Sequence, residues 1–210
     1  MDKFSLYDFM SFFMPGVLSL YIGFHYIPKQ WIVFNAMSDF ISGLMFTLLA
    51  IVVGLIIHRI TNYLLYDKEV KWFLALVYKP IDKIAVADIN NIKPNYDRIL
   101  QRYNPNNLTG VELFSEAYFF LEYQGKITTV KSFQSMHFFL RNIILIQFIT
   151  IPFFVVFLIA DYQFKIALEM LISVVIAFPF VLWTSNFFRK KMVERVFNTF
   201  YVAMKYKDIE

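Results

Sequence analysis

The stretch NIILIQFITIPFFVVFLIA, residues Asn142–Ala160, contains no Asp, Glu, Lys or Arg, and it decides the fold class of this chain. Three more uncharged stretches of similar length are Phe9–Ile27, Phe40–Ile57 and Met170–Phe188. A helix rises about 1.5 Å per residue and the hydrocarbon core of a bilayer is about 30 Å thick, so about 20 apolar residues cross it. The sequence therefore predicts four transmembrane helices.

The composition agrees with a membrane location. Of the 210 residues, 59% are hydrophobic and 20% aromatic, which is more than a soluble core of this size can bury. The chain has no cysteine, which excludes disulfides, cysteine-bound zinc, thiol nucleophiles and iron–sulfur ligation. This absence is also typical of chains whose polar parts face a reducing cytoplasm.

Basic residues predict the orientation. Of the 20 Lys and Arg, only Lys29 and Lys165 fall in the two short connections, 28–39 and 161–169. Positive charges collect on the cytoplasmic side of membrane helices. The residues that mark this side are Arg59, Arg141, Arg189, Lys190 and Lys191. We therefore expect both termini and the long central insert to be cytoplasmic.

The predicted architecture is all-α, with a four-helix transmembrane bundle and a helical cytoplasmic module. Residues 1–66 form the first transmembrane hairpin, with spans at about 9–27 and 40–57 and a cytoplasmic helix extension. Residues 67–129 form the cytoplasmic insert. Residues 130–188 form the second hairpin, with spans at about 142–160 and 170–188, and residues 189–210 form an amphipathic C-terminal helix. The insert and this last helix make up the module.

Local signals place helix ends outside the spans. Ser38 and Asp39 stand where an N-cap belongs, and the helical pattern that follows them continues to about Tyr66. The pattern of 130–141 runs into the third span without a breaker. In the insert, Thr109 and Glu112 have the spacing of a capping box, which predicts a helix through about Tyr123 that ends at Gly125.

The C-terminal helix has one apolar face, made of residues four apart in the sequence: Phe188, Met192, Val196, Phe200 and Met204. This face either packs on the cytoplasmic module or lies on the inner leaflet. We favour packing, because helices that lie on a lipid surface carry a denser basic face.

Prolines occur in three of the four predicted spans. Proline removes a backbone hydrogen bond and kinks a helix, and in lipid a neighbouring group must satisfy the carbonyl that is freed. Candidate hinge residues are Pro15, Gly16, Pro152 and Pro179. The alternative is ordinary kinking for packing, since proline is frequent in membrane helices.

Polar residues gather where spans meet the insert, and we take them as candidates for coupling the two: His58, Arg59, His137, Arg141 and Asn142. His137 lies one turn before Arg141, so both can face the same side of a helix. Interfacial anchoring is the alternative. A contact between His58 and His137 would be sensitive to pH, which a His58→Ala variant assayed between about pH 5 and 8 would test.

The insert holds a candidate polar cluster of Arg98, Arg102, Glu112 and Glu116. Paired carboxylates can act as acid and base or bind a cation, but a solvated helix face or salt bridges to the arginines are the favoured interpretation. Phosphate-binding loops, the nucleophile elbow and the HExxH zinc helix are absent from the sequence. We predict no catalytic, cofactor or metal site, and no enzyme activity.

Several short motifs resemble those of small bacterial four-span membrane proteins. They are Tyr7-Asp8-Phe9, Phe12-Phe13-Met14-Pro15-Gly16, the Gly54–His58 end of the second span, and Arg141-Asn142. The layout is similar to the membrane accessory protein of type VI-B CRISPR loci and to related membrane effectors of antiviral defence. The resemblance implies a protein of the bacterial inner membrane that forms homo-oligomers and responds to a cytoplasmic partner or signalling ligand.

The sequence is compatible with three functions. The first is a non-enzymatic accessory or effector protein whose insert receives a signal and whose spans respond. The second is a small constitutive channel or transporter, although no ionised residue lies within a span to mark an ion path through one subunit. The third is a membrane enzyme acting on lipid. Direct binding of nucleic acid is not expected, because the net charge of +4 is explained by topology.

Overall fold

A computed structural model describes residues 9–26, 39–66, 93–104, 106–108, 110–160 and 162–207. Of these residues 92% are helical and none lies in a strand, which confirms the all-α class. The helices are a π-helical segment, Phe9–Phe13, that precedes α1 (Met14–Tyr26), then α2 (Asp39–Tyr66), α3 (Lys93–Arg102), α4 (Gly110–Tyr123), α5 (Thr128–Ile159) and α6 (Phe164–Lys207).

The helix ends follow the local signals. Helix α2 begins at Asp39 and ends at Tyr66, and α5 and α6 each run past the ends of their uncharged stretches, as predicted. Helix α4 ends in a Schellman motif: Gly125 has a φ of +66°, and the Lys126 N–H donates to the Leu121 carbonyl at 2.9 Å. Ser38, Thr109 and the stretch 67–92 lie outside the described residues.

The chain divides into two compact units. The first unit comprises Met1–Phe73 and Ser135–Ser185, and the second comprises Leu74–Gln134 and Asn186–Glu210. The chain passes from one unit to the other between Gln134 and Ser135, inside α5, and between Ser185 and Asn186, inside α6. These two helices therefore contribute residues to both units.

In the first unit, the N-terminal segment, which is the π-helical residues Phe9–Phe13 together with α1, contacts α2 backbone to backbone. A Cβ atom added to Gly16 would lie 1.8 Å from the Ala50 carbonyl oxygen, and one added to Gly54 would lie 1.8 Å from the Phe12 carbonyl oxygen. Ala50 and Gly54 are four residues apart, the small-xxx-small spacing that allows membrane helices to approach closely. These glycines therefore set the distance between the two segments.

Within the described ranges, three helices are long and apolar enough to cross a membrane: Asp39–Leu64 of α2, Thr128–Ile159 of α5 and Phe164–Tyr206 of α6. Large apolar side chains on them are exposed, for example Phe40 at 81%, Ile176 at 70% and Trp183 at 67%. Such surface is stable only against lipid or another chain, which indicates a membrane-embedded protein. The apolar helix at Phe9–Phe24 is shorter than these three.

The second unit has its own hydrophobic core. Ile99 of α3, Leu113 of α4 and Val130 of α5 pack with the end of α6. The residues that α6 contributes are Met192, Val193, Val196, Phe197, Phe200 and Ala203. The apolar face of the C-terminal helix is thus packed in this core.

Candidate functional site

The N-terminal segment, α2 and α5 meet at a buried polar cluster in the first unit. Ser11 comes from the π-helical segment, His58 from α2, and Arg141 and Asn142 from α5. The two α5 residues are 3% and 0% exposed, and Ser11 is 0% exposed. Buried polar groups are usually hydrogen-bonded, so the bonds that this cluster makes help to specify how the three segments meet.

The Asn142 side chain donates a hydrogen bond to a main-chain carbonyl that lies four residues before Pro15. In a regular α-helix the Ser11 carbonyl would accept from the N–H of residue 15, but residue 15 is proline and has no N–H. Asn142 Nδ2 donates to this carbonyl at 2.7 Å. Ser11 lies in the π-helical segment, where carbonyls pair five residues ahead, so Pro15 alone does not determine which carbonyl needs a partner; the structure shows that Asn142, far along the chain, binds the Ser11 carbonyl.

His58 accepts from two donors. Its Nδ1 atom lies 3.3 Å from Arg141 Nη2 and 3.3 Å from Asn142 Nδ2. Guanidinium and amide nitrogens are donors only, so Nδ1 is the acceptor and the neutral ring carries its proton on Nε2. Asn142 Nδ2 is thus within hydrogen-bond distance of both the Ser11 carbonyl and His58.

Aromatic rings enclose this cluster. The His58 ring stands edge-on to Phe12, with 4.8 Å between ring centroids, and 5.5 Å from the Phe138 ring. The Arg141 guanidinium carbon lies 4.2 Å from the Phe138 centroid, within the range of a cation–π interaction. The arginine is therefore held between an imidazole and an aromatic face.

The remaining candidates for coupling lie elsewhere. His137 Nδ1 lies 3.2 Å from the Ser185 carbonyl oxygen and 3.3 Å from the Ser185 hydroxyl, so this histidine joins α5 to α6. The ring of Phe138 lies 5.7 Å from the ring of His137 as well as beside His58. Arg59 is exposed. The two histidines therefore pair with different partners, and the pH-sensitive contact between them stays a hypothesis.

The candidate hinge residues differ in setting. Pro15 and Gly16 are buried at the start of α1, where Gly16 makes the close backbone contact with Ala50. Pro152 and Pro179 are exposed, and α5 and α6 continue through them. A hinge at any of these positions remains a prediction.

The predicted insert cluster splits into two parts. Arg98 and Arg102 of α3 are directed at tyrosines: Arg98 Nη1 lies 3.3 Å from the Tyr201 hydroxyl, and the Arg102 guanidinium lies 5.7 Å from the Tyr103 centroid. Glu112 and Glu116 are exposed on α4. Within the described residues, no three or more His, Asp or Glu side chains are grouped so that they could hold a metal ion.

The residues that sequence reasoning did not single out here are Ser11, Ser185, Phe138 and Tyr201. For Ser11 a signal existed, because it lies four residues before Pro15 and its carbonyl would lose its donor in a regular α-helix. The others depend on contacts between distant parts of the chain. Comparison of the chain with protein-family models, with curated proteins and with solved structures found no match.

Proposed function

We propose that this chain is a non-enzymatic accessory or effector protein of the bacterial inner membrane, whose second unit receives a cytoplasmic signal and whose membrane helices respond. The proposal includes four spans, cytoplasmic termini and insert, and assembly into homo-oligomers. An association with prokaryotic antiviral defence follows from the sequence resemblance alone.

The path of α5 carries the proposal. Val130 of α5 is 1% exposed in the core of the second unit, and about three turns further along the same helix Arg141 and Asn142 hold His58 and the Ser11 carbonyl. Energetic coupling between two sites can be carried by a secondary-structure element that is packed at both of them. This arrangement suits a protein that couples a partner or ligand to its spans.

The exposed apolar side chains support the membrane and oligomer parts of the proposal. Lipid alone can cover α2 and α6, but helices that expose large apolar faces also offer surface to a second copy. Light scattering of the purified chain in detergent, corrected for bound detergent, tests this part. A strictly monomeric species at every concentration would contradict it.

Topology can be tested cleanly because the natural chain has no cysteine. Single variants Lys29→Cys and Lys126→Cys are expressed in bacteria and treated with a membrane-impermeant maleimide, before and after permeabilisation. We expect Lys29→Cys to react in intact cells and Lys126→Cys to react only after permeabilisation. The reverse pattern would refute the orientation.

Dye leakage separates the functional classes. The purified chain is reconstituted into liposomes of phosphatidylcholine and phosphatidylglycerol that contain self-quenched carboxyfluorescein. We expect no leakage from the chain alone, because its response requires a signal. Steady leakage would favour a constitutive channel, and conversion of the lipids, followed by mass spectrometry, would favour a lipid enzyme. Plaque counts from cells with and without the gene test the link to antiviral defence.

A further inference from the structure

A basic cavity opens on the second unit, between the end of α3 and the end of α6. Its volume is about 270 Å³, and its lining residues are Arg98, Gln101, Arg102, Tyr103, Tyr201 and Lys205. Three of these side chains are cationic, two are aromatic and one is an amide, and none is acidic. The lining therefore offers positive charge, hydrogen-bond donors and flat rings together.

The cations are held against the rings. The Arg98 guanidinium carbon lies 5.8 Å from the centroid of the Tyr201 ring. The rings of Tyr103 and Tyr201 are 6.4 Å apart and inclined at 60° to each other. Two arginines positioned by aromatic side chains lose less rotamer entropy on binding an anion than two free arginines would.

The wall of the cavity is anchored in the core of the second unit. Asn95 Nδ2 donates to Asn198 Oδ1 at 2.9 Å, which joins α3 to α6 by side chains. The Tyr96 ring packs edge-on to Phe197, with centroids 5.0 Å apart, and Ile99 is fully buried. The two helices that carry the cations are therefore fixed relative to each other within this unit.

The charge balance favours an anion. Cations near helix C-termini commonly compensate the helix dipole, and each helix end carries about half a negative charge. The two helix ends near the cavity amount to about one negative charge. Among the lining residues, Arg98, Arg102 and Lys205 carry three formal positive charges and none is acidic, which exceeds the charge of the two helix ends.

We propose that this cavity binds a small phosphorylated molecule, with the phosphate between the three cations and an aromatic ring of the ligand stacked on Tyr201. Guanidinium groups bind phosphate through paired hydrogen bonds, and a tyrosine face accepts a flat ring. The volume lies just below the range of about 300–1,000 Å³ of drug-sized pockets, which suits a nucleoside monophosphate or a phospholipid headgroup rather than a polymer.

This inference rests on the proposed function, because it names the class of ligand that the receiving unit takes. The phosphate site and the proposed function can be refuted separately, because ligand binding is measured at the second unit, whereas orientation and leakage are measured at the membrane. A chain that binds phosphate but leaks constitutively would retain this site and lose the proposed function.

The test titrates the full chain, in nanodiscs of phosphatidylcholine, with adenosine 5′-monophosphate and separately with inorganic pyrophosphate, by calorimetry. We expect saturable binding of both probes. The variant Arg98→Gln/Lys205→Gln should weaken it at least tenfold. The matched control Lys126→Gln/Arg195→Gln removes one lysine and one arginine that are exposed on the same unit, and it should change binding less than twofold.

Two further arms identify the ligand. Tyr201→Leu should weaken adenosine monophosphate more than pyrophosphate, because only the nucleotide has a ring to stack. Nanodiscs that contain phosphatidylglycerol separate the sources: competition with the nucleotide indicates a lipid phosphate at the same cations, and unchanged binding indicates a free ligand. Either result supports a phosphate site.

Three results would overturn the inference: neither probe binds, the control loses as much affinity as the double variant, or Arg98→Gln/Lys205→Gln binds as the natural chain does. The first and third would mean that these cations do not bind phosphate, and the second that the probes bind to the positive charge of the unit as a whole. If the double variant does not fold, Lys205→Gln alone replaces it, since Lys205 is exposed. We then expect at least a threefold loss, and unchanged binding would again overturn the proposal.

Discussion

Replacing Gly54 by alanine tests the close approach of α2 to the N-terminal segment. The added Cβ would lie 1.8 Å from the Phe12 carbonyl oxygen, whereas ordinary contact begins at 3.4 Å, so the two backbones must separate by about 1.6 Å. The neighbour is backbone and cannot rotate away. Separation on this scale also strains the hydrogen bond from Asn142 to the Ser11 carbonyl, one residue from Phe12.

The expected cost follows from two opposing terms. Overpacking a close contact costs about 3 kcal/mol at its upper end, and alanine returns about 1 kcal/mol through helix propensity. The net loss is about 2 kcal/mol. For a chain of this size each kcal/mol shifts Tm by about 2–4 °C, so Gly54→Ala should melt about 4–8 °C lower than the natural protein.

Gly43→Ala is the matched control on the same helix. A Cβ at Gly43 would meet nothing within 4 Å, so only the propensity gain of about 1 kcal/mol remains and Tm should rise by about 2–4 °C. Thermal unfolding is followed by intrinsic fluorescence in one detergent at one scan rate, because Tm depends on scan rate when unfolding is irreversible. If Gly54→Ala melts at or above the temperature of the natural protein, the close approach is wrong.

Three further predictions concern single side chains. Asn142→Leu leaves the Ser11 carbonyl without its donor and should cost about 1–3 kcal/mol, and the loss should shrink in a Pro15→Ala background, where the backbone N–H returns. Phe197→Ala empties a fully buried position in the core of the second unit and should cost about 3–5 kcal/mol in thermal unfolding. Burial, and then the charge of nearby Glu122, raise the pKa of Tyr118, so its contribution to stability is present below its ordinary pKa of about 10 and is lost as pH rises through the higher folded value.

Each of these predictions has a contradicting outcome. An Asn142→Leu loss that is equal in both backgrounds would show that its partner is not the proline-freed carbonyl. A Phe187→Ala variant, in which the ring is 46% exposed, should melt close to the natural chain; a loss equal to that of Phe197→Ala would point to a general effect of removing a ring. For Tyr118→Phe, an alkaline loss of stability as steep as in the natural chain would contradict the assigned titration.

Local sequence determined much of this protein. The uncharged stretches predict long apolar helices, since an apolar run of this length has no stable place in water. The helix signal at Asp39 and the glycine at 125 mark where helices begin and end, because capping and turn chemistry act within one turn. The four-residue spacing of the C-terminal helix predicts its buried face, where Val196 is 0% exposed.

Only the tertiary structure decided which of these elements meet. Pro15 removes the α-helical donor to the Ser11 carbonyl, and this can be read from the sequence. The hydrogen bond from Asn142 to that carbonyl forms only because two segments distant in sequence come together. The same holds for Gly54 against Phe12 and for Tyr201 beside Arg98. Periodicity and capping act over a few residues, whereas these contacts arise from packing between helices. Sequence therefore determined the helices, and packing determined their partners.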